Sequence, residues 1–136
     1  HDRRSRELPG RYEAARIVLG YADRAALYAR IDSRVDKMAE AGLMAEVAAL
    51  LKEGVAPDCT AMQAIGYKEA ALCIRGSIPE QEALARIKQN SRRYAKRQLT
   101  WFSRWEDALR ISWQGKPDFE RARLLSTEFS RSRGIS

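Results

Sequence analysis

The chain has 136 residues, of which 45% are hydrophobic and 32% charged, which makes one ordinary domain and excludes wholesale disorder. No apolar run approaches the ~18 residues of a membrane span. Lys and Arg number 25 against 18 Asp and Glu, a net charge of +7; that excess points to a polyanion such as nucleic acid, a diphosphate ligand or an anionic membrane surface, with a merely basic protein as the plain alternative.

Residues 1–11 carry charge, Pro9 and Gly10 without apolar periodicity, and read as a linker or the end of an upstream element. Arg3, Arg4 and Arg6 there could touch phosphate, or simply be solvated. Ala15 to Gly20 is a short β-branched run and reads as a strand whose partner could lie outside this chain. From Asp23 to Gly42 the pattern is helical, with Leu27, Ile31, Val35 and Met38 on one face. Asp23 caps its start and Gly42 its end. A second helix carries Leu43, Val47, Leu50 and Leu51 inward and ends at Gly54. A helical turn follows from Thr60 to Ile65; Gly66 interrupts it, and a helix resumes from Tyr67 to about Arg75. Ser77 and Glu80 have the spacing of a capping box, with Pro79 in the first turn.

The helix so opened should run from about Ile78 to Arg104. Leu84, Ile87, Ser91, Tyr94, Ala95 and Gln98 form a narrow, small-residue packing face. Between Arg86 and Arg104 stand Arg86, Lys88, Arg92, Arg93, Lys96, Arg97 and Arg104, with no acidic residue among them. Like charges at four-residue spacing disfavour a helix, a cost that an external phosphate backbone would offset. Trp101, Phe102 and Trp105 follow. They suit unstacked bases, but a helix end with three rings more often buries them. Leu109 to Trp113 alternates as a second strand, Phe119 to about Phe129 is a last helix, and residues 130–136 read as a frayed tail.

Cys59 and Cys73 are too few for a disulfide scaffold, and their spacing fits no zinc motif. The only histidine is His1, which excludes a histidine triad and a structural zinc. A reducing cytoplasm is the default location for such cysteine usage. Arg34 could pair with Asp32 or Asp36, or point its planar fork at an anion. Gly66, with Gln63, Tyr67 and Lys68 around it, could permit close approach to a base or phosphate, or merely a kink.

Three stretches together resemble one family, tRNA dimethylallyltransferase, also called tRNA isopentenyltransferase. They are Leu27-Tyr-Ala-Arg-Ile-Asp-Ser-Arg-Val-Asp-Lys-Met38 followed by Gly42-Leu-Met-Ala-Glu-Val47, then Met62-Gln-Ala-Ile-Gly-Tyr-Lys-Glu69, then Ser91-Arg-Arg-Tyr-Ala-Lys-Arg-Gln-Leu-Thr-Trp-Phe102. The likeness covers about Tyr12 to Trp113. It implies transfer of a dimethylallyl group from dimethylallyl diphosphate to N6 of the adenosine 3′ of the anticodon. It further implies a P-loop α/β core, Mg2+, a monomer, and an adenine taken out of its stack. By resemblance, Gln63, Ala64, Ile65, Gly66, Tyr67 and Lys68 match one tRNA-contacting stretch. Lys96, Arg97, Gln98, Leu99, Thr100, Trp101, Phe102 and Ser103 match another. Arg34 matches an arginine near the prenyl diphosphate, where it would stabilise the departing charge. The family usually carries Thr at Ser91 and often Arg at Ser103; Arg104 next door points about 100° further round a helix.

The family's phosphate-cradling string G-x-x-x-x-G-K-[ST] does not occur in these residues, nor does its general-base aspartate. The resemblance therefore implies a mainly α C-terminal portion with two short strands, taken from an α/β P-loop-type domain. In this reading 1–11 is linker or the end of an upstream insertion, 12–129 the helical portion of the core and 130–136 a tail. No metal site is expected in it, and alone it should not transfer a prenyl group. Two further readings stay open: a stand-alone basic RNA-binding module, and an interaction module for an acidic protein.

Overall fold

The computed structural model describes residues 13–135. The proposed linker 1–11, with its four arginines, lies outside them. The elements are β1 (Ile17–Tyr21), α1 (Arg24–Glu40), α2 (Leu43–Lys52), a 3₁₀ turn (Ala61–Gln63), α3 (Tyr67–Ile74), α4 (Glu80–Phe102), β2 (Leu109–Trp113) and α5 (Phe119–Ser132). They fall into two compact units, one from Asp23 to Trp101 and one joining the segments either side of it.

In the flanking unit, β1 and β2 pair in parallel, Ile17 opposite Leu109 through Tyr21 opposite Trp113. The partner that β1 needs therefore lies within this chain. A parallel pair requires a crossover, and here the whole helical unit is the intervening sequence. Ile111, Trp113 and Ala122 are buried together, with Ile17, Tyr21 and Leu125 against them. Asp118 caps α5 by accepting from the Arg121 N–H at 2.9 Å. That helix continues to Ser132, beyond the expected end at Phe129, because Arg133 and Gly134 (φ +72°) close it. Arg110 donates to the carbonyls of Phe102 and Trp105, each at 3.0 Å, which satisfies acceptors left over where α4 ends.

Asp107 takes two bonds from Arg16, at 3.0 and 3.1 Å, and faces Arg133. The Arg16 hydrogen bond holds its carboxyl below the ordinary aspartate range, against an opposing effect of burial. A depressed folded pKa contributes stability that is complete above the unfolded value of about 3.9 and is lost as pH falls through the folded value. Asp107 is 42% exposed, so the effect is small. Asp107→Asn is expected to lessen the acid-side fall of the melting temperature below about pH 4, and an unchanged acid limb would contradict this.

The helical unit is built as its glycines and caps dictate. Asp23 accepts from the Ala25 and Ala26 N–H groups at 3.0 and 3.2 Å. Gly42 is left-handed (φ +98°) and separates α1 from α2. Val35, Leu43, Val47, Met62, Ala70, Ala71 and Ile87 form the core, drawn from every helix of the unit. α4 starts at Glu80, two residues later than expected. Pro79 lends its carbonyl to the Ala83 N–H at 3.0 Å, so the proline occupies the cap itself and Ser77 lies outside the helix. The other end also falls early, at Phe102, leaving Ser103 and Arg104 in a turn.

Candidate functional site

The helical unit carries a groove of about 790 Å³ between α1, the segment 63–65 and α4. Its floor comes from the apolar face of α1. Val35 is buried, but Leu27, Ile31 and Met38, read from sequence on the same face, are only half covered and line the groove. The facing wall is the small-residue side of α4. Ile87 is buried at its base, while Ser91, Tyr94, Ala95 and Gln98 stay open to the groove. Arg34 and Arg97 are its cationic members, and Gln63, Ala64 and Ile65 form its third side. Arg97 also lies over the Tyr94 ring, 5.5 Å from the centroid, a contact that stiffens a long side chain.

Three sequence-distant stretches thus meet: Arg34, then Gln63-Ala64-Ile65, then Arg97-Gln98. The other site residues fall elsewhere. Lys68 lines a shallower recess of about 240 Å³ with Gln63, Asp58 and Arg75. The Tyr67 hydroxyl donates to the Glu46 carboxylate, and that hydrogen bond holds the phenol above its ordinary pKa. Lys96, Leu99, Thr100, Trp101, Phe102 and Ser103 do not line the groove. Trp101 is 55% exposed, contrary to the buried position expected for all three rings. Phe102 and Trp105 pack on each other with centroids 5.0 Å apart and are half-buried.

Gly66 is the hinge of the third side. Its φ of +106° and ψ of −57° suit glycine. A Cβ there would meet only the Met38 Cε at 3.7 Å, so the requirement is conformational. Gly66→Ala is expected to cost about 1–3 kcal/mol, read as a lower urea midpoint at unchanged m-value; an unaltered midpoint would contradict it. Behind the hinge lies a group the sequence reading passed over. Glu69 is 5% exposed and accepts from the Gly66 N–H at 2.9 Å and from the Asn90 side chain at 2.8 Å. It ties the 63–66 segment to α4. A charged residue three positions after a glycine, ahead of a helix, was the available signal.

The cations of α4 are not uniformly unbalanced, as the sequence suggested. Arg92 reaches Asp32 on α1 at 2.5 and 2.7 Å, Lys88 reaches Asp36 at 2.6 Å, and Arg86 pairs with Glu82 at 2.5 Å. Both aspartates proposed as partners for Arg34 are therefore engaged by α4. Among the described residues no His, Cys, Asp or Glu cluster could hold a metal ion. No helix among the described residues is long and apolar enough to cross a membrane.

Helices packed into an apolar-floored, doubly cationic groove, with one parallel strand pair, are the helical part of an α/β domain. A crystal structure of the full-length tRNA isopentenylpyrophosphate transferase of Bacillus halodurans superposes with a TM-score of 0.78 at 34% identity, over 92% of this chain and 43% of that one. The family model described as IPP transferase matches residues 1–105, and the chain belongs to that family. A tRNA dimethylallyltransferase of Geobacillus kaustophilus is 47% identical over 120 residues, 88% of this chain and 36% of the relative. One of Thermoanaerobacter sp. (strain X514) is 48% identical over 95 residues, 70% of this chain and 30% of the relative. The chain spans about a third of the length of the curated relatives it matches.

Proposed function

We propose that these residues are the tRNA-gripping, C-terminal portion of a cytoplasmic, monomeric tRNA dimethylallyltransferase. The convergence of Arg34, the 63–65 segment and Arg97 on one groove carries this reading. In the reaction, N6 of the adenosine 3′ of the anticodon attacks C1 of the dimethylallyl group. The C–O bond breaks, and its electron pair leaves with the diphosphate. Arg34 offers a planar guanidinium to that departing charge. The apolar floor holds an uncharged group beside it. Arg97 and the exposed α4 cations take the phosphates of the anticodon stem-loop. The phosphate-cradling loop and the base that accepts the N6 proton belong to sequence beyond these residues.

Two assays test this. A labelled anticodon stem-loop RNA should bind the chain and be displaced by unlabelled stem-loop but not by polyglutamate. Displacement by polyglutamate alone would favour the acidic-protein reading, and equal displacement by any RNA a sequence-blind module. Given dimethylallyl diphosphate, Mg2+ and tRNA, the 136-residue chain is expected to show no transfer above background. Turnover would overturn the assignment of base and phosphate loop to other sequence.

A further inference from the structure

The cationic face of α4 divides into two functionally different sets. Asp32 and Asp36 stand one turn apart on α1, and Lys88 and Arg92 one turn apart on α4. They pair in register, Asp32 with Arg92 and Asp36 with Lys88. Such a match makes two rungs between helices running in opposite directions. The rungs bridge the same two helices that bear the groove's two guanidiniums, Arg34 on α1 and Arg97 on α4.

We infer that Asp32 with Arg92 and Asp36 with Lys88 form a clamp that sets the spacing of the groove walls, so that Arg92 and Lys88 position the site and do not themselves contact phosphate. The inference rests on reading the groove as the anion site. Two physical points carry it. A helical neighbour two positions away does not face Arg34, and both flanking aspartates are held by α4, so Arg34 keeps its charge for the groove. The rungs are also only partly covered: Arg92 and Asp32 are 31% and 35% exposed. Pairs of that kind add little to folding stability, so what they contribute is geometry.

The experiment is a charge swap. Asp32→Arg and Arg92→Asp alone should each weaken binding of the anticodon stem-loop by about three- to tenfold, and the double variant should restore it to within about twofold, with unfolding midpoints nearly constant throughout. A loss that persists in the double variant would overturn the inference, because it would mean that Arg92 touches the RNA. Asp32→Asn serves as a shape-conserving single variant if a reversed charge prevents folding. A second readout needs no RNA. Spin labels at Ser33 and Gln89, in a Cys59→Ser, Cys73→Ser background, should give a distance distribution that broadens in the single variants and narrows again in the swap. An unbroadened distribution in the single variants would also overturn the clamp. Failure of the wild-type chain to bind RNA would instead count against the groove's proposed ligand, and the spin-label result would still decide the clamp.

Discussion

Replacing Glu69 by leucine is expected to destabilise the helical unit by about 2–4 kcal/mol, because it leaves two donors without an acceptor, each worth roughly 1–3 kcal/mol when buried. The donors are the Gly66 N–H and the Asn90 side-chain amide. The loss should appear as a lower urea midpoint, and it is large against a typical total of about 5–15 kcal/mol. Glu69→Gln is the informative companion. Its carbonyl can keep the Gly66 bond, and its NH₂ can donate to Asn90 once that amide turns over. Most of the stability should then return. Equal losses in the two variants would mean that the negative charge, and not the pair of acceptor positions, is what the site needs. No loss in the leucine variant would remove Glu69 from the account of how the 63–66 segment is held.

Reversing the charge at Arg97 should lower affinity for the anticodon stem-loop by about tenfold or more, and flatten the salt dependence by one to two units of slope on a log–log plot, roughly one unit per phosphate contact. Arg97 lines the groove and its guanidinium is steadied on Tyr94, so its loss removes a placed contact as well as a charge. Lys96→Glu should also weaken binding and flatten the slope, but by less, since Lys96 lies outside the groove lining. Equal effects of the two reversals would indicate that only the general field of α4 attracts RNA. Unchanged affinity in both would remove α4 from the interface.

Much of the helical unit was legible because its punctuation is local. Asp23, Gly42 and Gly66 each act through their own backbone and nearest turn, and all lie where their residue types demand. The two strands were legible for the same reason, as short β-branched or alternating runs. Their pairing was not, since the partners are separated by the entire helical unit. The charge pattern of α4 misled in the same way. Read along the helix from Arg86 onward it has no counter-charge, yet Arg92 finds Asp32 at a separation of 60 residues.

The groove was half visible. Small residues at Ser91 and Ala95 marked a close-packed face, but that face is open beyond Ile87. The apolar stripe of α1 turned out to be shared between core and groove floor, a division that periodicity alone does not encode. Trp101 belongs with these cases: its type argued for burial, while its place near the end of α4 leaves it exposed. Glu69 shows the opposite error. A charged residue was given no role, although the Gly66 hinge needed an acceptor close behind it.

Amide chemical-shift mapping of the chain with an unlabelled anticodon stem-loop RNA tests the groove most directly, because it reports every segment at once. The expected result is a perturbed set that joins residues 31–35, 63–66 and 94–98, with the surface of β1, β2 and α5 unaffected. Perturbations confined to that second surface, or spread evenly over exposed arginines of both units, would contradict the assignment of the groove as the RNA-facing site.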